Sequence, residues 1–483
     1  MTDSSSRSGR PSASATASAH FPGVQPDNAS RREFLRRTGA LSLAASATPW
    51  ALSLAAMGEA AAATASDYKA LVCIFLYGGN DYANTLVAYD QSTYNVYNSL
   101  RSNIAIGRDL LAPTVLAPST ALPNGRQYAL APTLAPLLPV FNAGALSIAL
   151  NVGTLVQPTT KAQYNARSVP VPPKLFSHND QSSYWQASAP EGASSGWGGR
   201  MGDLLAGGNG NATFTCVSVA GNAVYLSGNQ VSQYQVASSG PVAVAGIKSA
   251  MFGSAACSTA LNGLMMNTRT QLLENSYATV SRRALTANDQ LSSALTGANV
   301  ATTFPTNNSL ADQLKLVARM ISVSSTLGAK RQVFFVSMGG FDNHDGLGGA
   351  GGTHALLLAG VANAMSAFYQ STKDLGVSQQ VTTFTASDFG RTLNSNSSGS
   401  DHGWGGVQFV MGDAVKGKSF IGAAPTLAND GPDDVGQGRL VPTTGVDQFG
   451  ATLANWFGVS PSDQLTVLPN LKNYSTRNLG FMS

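Results

Sequence analysis

Charged side chains are scarce in this sequence. Asp, Glu, Lys and Arg make up 11% of its 483 residues, against roughly 25% in an ordinary soluble domain. The net charge of +4 is spread thinly, with no basic stripe beyond the first 40 residues, and this excludes nucleic acid as a partner. Cysteine is nearly absent too. Cys73, Cys216 and Cys257 are too few for a disulfide framework or a cysteine-based zinc ribbon. Histidine is equally sparse, at five residues, so each one beyond the N-terminal region is informative. No internal repeat is visible. Apolar residues, by contrast, reach 43%, an ordinary globular share, so most of the chain is not disordered. Single cores usually stop growing below this length, yet one large α/β domain with insertions fits as well as two domains.

Residues 1–29 are rich in Ser, Ala, Gly and Pro and read as a disordered extension. Ser30-Arg31-Arg32-Glu33-Phe34-Leu35-Arg36 then resembles a twin-arginine export signal, with Arg31 and Arg32 as its pair. A weakly apolar stretch over 38–57, broken by Pro49, leads to Ala61-Ala62-Ala63-Thr64-Ala65. That order fits a cleaved signal better than a membrane anchor. The expectation is a disordered extension and signal peptide over 1–65, followed by an α/β domain over 66–483. The twin-arginine machinery would then be a partner and the location periplasmic or secreted, with no stable membrane span after cleavage. Loss of 1–65 leaves 23 basic and 21 acidic side chains, so net charge does not steer a charged partner. An oxidising exterior permits disulfides. Cys73 reads as a buried thiol, whereas Cys216 and Cys257 either pair or stay free.

Ala70 to Tyr77 is continuously apolar and stops at Gly78-Gly79-Asn80-Asp81, the pattern of a buried central strand. Leu134, Leu137, Leu138 and Phe141 suggest a helix before a strand at 145–152. Residues 205–260 have little helical period and read as strands and loops, part of a possible insertion over about 205–300. Ser309 with Asp312 resembles a capping pair, and Leu310, Leu314, Val317 and Ile321 fall on one helical face. A second strand, Val333 to Met338, ends at Gly339-Gly340-Phe341-Asp342, and a third, Val381 to Ala386, ends at Ser387-Asp388. A helix bearing Leu358, Val361, Met365 and Phe368 separates them. Gly346-x-Gly348-Gly349-x-Gly351-Gly352 reads as a flexible loop. Strands alternating with helices predict a three-layer α/β fold, a mainly parallel central sheet with helices on both faces.

In such sheets ligands bind beyond the carboxyl ends of the strands. Asp81, Asp342 and Asp388 each follow a strand end, and converging carboxylates repel unless a cation or proton lies between them. Each can instead cap the turn that follows it. His344 stands two residues after Asp342, His402 follows Asp401, and His178 lies in Ser177-His178-Asn179-Asp180-Gln181. Imidazole with carboxylate suits Zn²⁺, Mn²⁺ or Fe. His354, at the start of a helix, reads as a cap or surface residue. Ser177, opening a helix, is a candidate nucleophile at a site suited to phosphate or sulfate; it can also be a plain cap. Arg200 and Arg391 are candidates to clamp an anion, or structural ion-pair partners.

At these residues the chain resembles the domain of unknown function family 1501. The resemblance rests on Leu76-Tyr77-Gly78-Gly79-Asn80-Asp81, Ser177-His178-Asn179-Asp180-Gln181, Gly196-Trp197 with Arg200, and Gly340-Phe341-Asp342-Asn343-His344. It continues through Ser387-Asp388-Phe389-Gly390-Arg391-Thr392 and Asp401-His402-Gly403-Trp404-Gly405-Gly406. That family is similar in fold to the alkaline phosphatase and sulfatase superfamily. The resemblance implies an alkaline-phosphatase-like fold and a metal-dependent hydrolase of phosphate or sulfate esters. Asp81, Asp342, His344, Asp388 and His402 would hold one or two divalent ions (Zn, Mn or Ca), and Ser177 and His178 would be catalytic. A small anionic ester would be the substrate, with Arg200 and Arg391 binding its charge. Phe389 departs from the superfamily's Asp-His at that point and removes a ligand unless His178 or Asp401 replaces it. The alternative is a non-catalytic exported binding or assembly protein with the same fold.

Overall fold

The strand β1 (Lys69–Leu76) shows how the sheet is built. Ala70, Val72, Ile74 and Leu76 point into one hydrophobic core, and Leu71, Cys73 and Phe75 into another on the opposite face. A strand with no wet face belongs in the middle of a sheet covered on both sides. Two strands flank it in parallel, β7 (Arg331–Met338) and β8 (Val381–Ser387), so that Leu76 lies opposite Met338 of one and Ser387 of the other. The computed structural model describes residues 67–483. Arg31, Arg32 and the rest of the signal read over 1–65 lie outside the described residues.

The main sheet comprises β1, β4 (Leu146–Gly153), β5 (Cys216–Ser218), β6 (Tyr234–Gln235), β7 (Arg331–Met338), β8 (Val381–Ser387), β11 (Gly406–Met411), β12 (Ser419–Ile421) and β13 (Thr444–Gly445). Its order is β12-β4-β11-β8-β1-β7-β5-β6, with β13 also paired to β4. Only β11 runs antiparallel to its neighbours, β4 and β8. Two small ribbons pair β2 (Leu86–Ala88) with β3 (Tyr128–Leu130), and β9 (Arg391–Ser395) with β10 (Ser400–His402).

The longer helices are α1 (Gln91–Leu100), α2 (His178–Ala187), α3 (Trp197–Leu205), α4 (Ala255–Met266), α5 (Leu272–Leu295), α6 (Ser309–Ser322), α7 (Thr353–Asp374) and α8 (Val446–Phe457). Leu310, Leu314, Val317 and Ile321 of α6 join Leu358, Val361, Met365 and Phe368 of α7 in one core. Trp185, Trp197 and Phe449, from α2, α3 and α8, fill the other. The three-layer expectation therefore holds, with helices on both faces of a mostly parallel sheet.

Several local expectations are corrected. The cap of α6 is Asn308, whose side chain accepts from Ala311 N at 3.1 Å, so Ser309 is already the first helical residue. The stretch expected as strands and loops ends in α4, a helix of small residues with almost no apolar period. His354 is buried in α7, and its Nε2 lies 3.0 Å from Asn80 Oδ1, so it is neither a cap nor a surface residue. All three cysteines are free, Cys73 and Cys216 buried and Cys257 exposed.

Candidate metal centre

Parallel pairing brings the carboxyl ends of β1, β7 and β8 to one edge. The turn after β1 needs glycine there. Gly78 has φ +116°, and a Cβ on it would stand 2.3 Å from Asp342 N. This close approach lays the turn against the segment after β7. Its amide donates to Asp388 Oδ2 at 3.1 Å, which ties in the end of β8 as well.

At this edge three imidazoles converge on one oxygen. Asp342 Oδ1 lies 3.1 Å from His344 Nε2, 3.4 Å from His178 Nε2 and 3.4 Å from His402 Nε2. His344 Nε2 and His402 Nε2 are 2.8 Å apart. Ligand atoms roughly 2.0–2.1 Å from a tetrahedral Zn²⁺ stand about 3.3–3.4 Å from one another. The distances from Asp342 Oδ1 to His178 Nε2 and His402 Nε2 match that spacing, whereas the 2.8 Å between His344 and His402 is shorter than it. His178, Asp342 and His402 alone place one donor atom each within 4.8 Å of the other two.

The outer nitrogens sharpen the point. His178 Nδ1 lies 2.7 Å from Asp388 Oδ2, His344 Nδ1 3.0 Å from Asp401 Oδ1, and His402 Nδ1 2.6 Å from the Phe176 carbonyl. Each acceptor demands an Nδ1–H, so in each neutral ring the Nε2 lone pair faces inward. Imidazoles that bind metals are held in this way, by a carboxylate or carbonyl on the far nitrogen. Two lone pairs 2.8 Å apart repel unless a cation or a proton lies between them. His178 Nε2 is buried with no hydrogen-bond partner, as a ligand atom would be.

The electrostatics agree. Burial opposes charge on His402 and, with the neighbouring cationic groups, holds its pKa below the usual value. The hydrogen bond that His178 donates to Asp388 raises the pKa of His178 against its own burial. Burial pushes Asp388 up, partly offset by His178. Burial would also raise Asp342, but the hydrogen bond and charge of Arg391 outweigh it and keep the carboxylate ionised. Phe389 is buried and forms a wall of the site, its ring centroid 4.8 Å from that of His178 and 4.7 Å from that of His402.

The expected site residues thus separate into groups. His178, Asp342, His344 and His402 come together. Asp388 stands behind His178 as an orienting group rather than among the inward-facing atoms. Asp81 is turned away. Its Oδ2 lies 2.6 Å from Arg101 Nη2 and 2.7 Å from Ser400 Oγ, and its Oδ1 accepts from Asn84 N at 2.9 Å. Arginine and hydroxyl have taken the lone pairs that a metal would need. Arg391 is fully buried and committed, to Asp342 Oδ1 at 2.7 Å, to the Gly78 carbonyl at 3.1 Å and to the Ser400 carbonyl. Arg200 donates to the carbonyls of Val467, Ser195 and Ala187. Arg200 is thus taken up by backbone carbonyls and both Arg391 Nη groups by Asp342 and two carbonyls, a structural use of each, while Arg391 Nε stays buried without a partner. Ser177 precedes the first residue of α2, and its hydroxyl donates to Asp180 Oδ2 at 2.9 Å.

Arg101, Ser400 and Phe176 had no signal in the sequence. Phe176 has φ +74°, a left-handed conformation that costs a non-glycine residue of order 1 kcal/mol or more and tends to mark functional sites. Here it aims a carbonyl at His402, and its ring lies 4.6 Å from the Arg439 guanidinium. Two spacings that carry chemistry elsewhere do not do so here. Gly412 to Ser419 has the form Gly-x-x-x-x-Gly-Lys-Ser. It links β11 to β12 with no helix following, and the amides of Lys416, Gly417 and Lys418 are spent on Phe481, Gly144 and Leu146. No phosphate cradle forms. Gly192-Ala193-Ser194-Ser195-Gly196 has the nucleophile-elbow spacing but joins α2 to α3, not a strand to a helix.

The family model described as "Protein of unknown function (DUF1501)" matches residues 68–464. No curated protein matches the chain. Among solved structures, it is similar to the lipoteichoic acid synthase LtaP from Listeria monocytogenes at 10% identity, with 85% of this chain and 77% of that one covered and a TM-score of 0.34. It is similar to Ps i-CgsB in complex with k-i-k-neocarrahexaose at 10% identity, with 84% and 77% covered and a TM-score of 0.35. A Bacteroides thetaiotaomicron protein, BT33494S-sulf, from a locus for metabolism of multiple glycosaminoglycans, matches at 10% identity, with 77% and 71% covered and a TM-score of 0.29.

Proposed function

The chain belongs to the DUF1501 family, and from that premise we propose that it is an exported metalloprotein with one divalent ion at the sheet edge, acting as a hydrolase of phosphate or sulfate esters. The observation that carries the reading is the convergence of His178, His344 and His402 Nε2 on Asp342 Oδ1 within 3.4 Å, with every Nδ1 held from behind. Imidazole and carboxylate donors in this number suit Zn²⁺, Mn²⁺ or Fe. A divalent ion bound there supplies Lewis-acid polarisation of an ester oxygen.

A single ion is favoured over a pair by the use of the remaining carboxylates. Asp81 is neutralised by Arg101, Asp388 is engaged by His178 and Gly78 N, and Asp401 by His344 and Asn396. Of this set Asp388 Oδ1 stays buried without a hydrogen-bond partner, a single oxygen that falls short of the donors a second ion needs. Ser177 is the candidate nucleophile. It is bonded to Phe176, whose carbonyl orients His402, and to His178 itself, so the hydroxyl is carried on the segment that builds the centre. Its proton already points to Asp180, which leaves the oxygen lone pairs available for attack.

A second reading has its own support. Arg200 and both Arg391 Nη groups are taken up by protein oxygens and Phe389 packs against two imidazoles, so neither of these arginines offers a two-pronged clamp to an anionic ester. A non-catalytic metal-binding protein fits these two observations. Metal analysis of protein purified without chelator or affinity metal separates the possibilities in two steps. About one equivalent of a transition metal is expected, and its loss in His344→Ala and His402→Ala. Turnover of aryl phosphate or aryl sulfate that vanishes in Ser177→Ala, with metal retained, marks the enzyme. Bound metal without turnover marks the binding protein, and absence of metal after incubation with Zn²⁺, Mn²⁺ and Fe²⁺ overturns both.

A further inference from the structure

A third arginine stands beside the metal centre. The Arg439 guanidinium lies 4.6 Å from the centroid of the Phe176 ring, and its Nε donates to the His402 carbonyl at 3.0 Å. Phe176 in turn gives its carbonyl to His402 Nδ1 and is followed by Ser177. The guanidinium is therefore tied to both segments that build the centre. Its own loop is stiff. Asp434 is buried and accepts from Gly436 N at 2.8 Å and from Gly438 N at 2.9 Å. Leu393 N donates to the Gly438 carbonyl at 2.8 Å, and Gly405 N to the Leu440 carbonyl at 3.0 Å. These bonds clamp the loop to β9 and to the segment that enters β11, so the arginine is in place before any ligand arrives. Its remaining donors set it apart. Among the described residues, Arg439 Nη1 and Nη2 have no hydrogen-bond partner and no carboxylate partner, and both reach solvent from a half-buried side chain. The other cations around the site are engaged. Arg200 and both Arg391 Nη groups hold protein oxygens, and Lys174 Nζ lies 3.6 Å from Asp180 Oδ2.

We propose that Arg439 is the anion-recognising residue of the metal centre, its Nη1 and Nη2 taking two oxygens of a tetrahedral oxyanion, the phosphate or sulfate group of an ester. The assignment rests on the metal centre proposed above. A guanidinium is a planar fork of five N–H donors that stacks on aromatic rings and pairs with two oxygens at once. Arg439 uses the stack and one N–H to hold its orientation. With Nε engaged on His402, the end of the fork formed by Nη1 and Nη2 is what is left, and it can bracket two oxygens of one anion. An arginine with a purely structural role has its donors taken up, as Arg200 does by three backbone carbonyls. Arg439 keeps its paired donors open on a rigid mount, next to the carbonyl of a residue in the metal-binding group.

Calorimetric titration of the metal-loaded protein with phenylphosphonate and, separately, with benzenesulfonate reads the site without turnover. Binding of at least one is expected, and the tighter of the two distinguishes a phosphate site from a sulfate site. Arg439→Met keeps an unbranched stem over Phe176 and removes the fork. It should weaken the binding by about ten- to a hundredfold, the range for hydrogen bonds to a charged partner, with metal content unchanged. Arg439→Lys should recover only part of the loss, because an ammonium supplies charge without the fork. Undiminished binding by Arg439→Met overturns the inference and leaves the hydrolase reading standing. Full recovery by Arg439→Lys overturns the two-oxygen clamp. Loss of metal together with anion binding makes Arg439 a support for His402 and overturns the inference, as does a parent protein that binds neither anion. Arg439-dependent anion binding in protein that turns over neither ester supports the inference while the hydrolase reading fails.

Discussion

Asp388 Oδ2 stands 2.7 Å from His178 Nδ1, and this contact decides which nitrogen of His178 faces the centre. The same oxygen accepts from Gly78 N, so the turn after β1 positions the carboxylate that positions the ring. Asp388→Asn keeps the shape and removes the charge. Loss of such an orienting carboxylate typically weakens metal binding by about 10–100-fold. Calorimetric titration of metal-stripped protein with Zn²⁺ should show that loss, with the fold intact by circular dichroism. Unchanged affinity would remove Asp388 from the orienting role.

Asp81 predicts the opposite pattern. Its pair with Arg101 is fully buried, with side chains 1% and 0% exposed. Breaking a buried pair by removing one partner costs about 3–5 kcal/mol, because the other charge is left uncompensated. Asp81→Asn should therefore lower unfolding free energy by an amount of that order in urea titration. At saturating metal the folded protein should still bind its equivalent. A variant that keeps its stability but loses metal would return Asp81 to the ligand set.

These two residues also show how far the sequence could be read. Strand ends and glycine turns locate Asp81, Asp342 and Asp388 at one sheet edge, because β1, β7 and β8 are short apolar runs stopped by turn residues. That is a local property of the chain. What a carboxylate does at the edge is not local. Arg101 reaches Asp81 from the end of α1, Phe176 reaches His402 across 226 positions, and Asp401 reaches His344 across 57. The same limit explains His354. Its place at the start of α7 is legible, but its burial depends on Asn80, 274 positions away.

The final prediction concerns pH, and two buried groups act against each other. Burial raises Asp447 to about 6, above its unfolded value near 3.8. Its contribution is fully present at low pH and is lost as pH rises from about 4 to 6. Two units correspond to about 3 kcal/mol. Burial lowers His354 to about 4, from an unfolded value near 6.5. Below about 6.5 the unfolded chain takes up a proton that the native state refuses, so stability falls as pH drops toward 4, again by about 3 kcal/mol. Between pH 4 and 6.5 the two slopes oppose, and the native protein should show a nearly flat profile from this pair. Asp447→Asn removes one slope. The amide oxygen still accepts from Ser188 Oγ and Asn470 N, which now contact Asp447 Oδ1 at 3.2 Å. The variant should melt higher than the parent at pH 8, by the equivalent of up to about 3 kcal/mol, and lose that gain as pH falls toward 4. Thermal melts across this range check the sign. An Asn variant that is less stable than the parent at pH 8 would mean that the ionised carboxylate is needed, and that burial does not dominate its pKa.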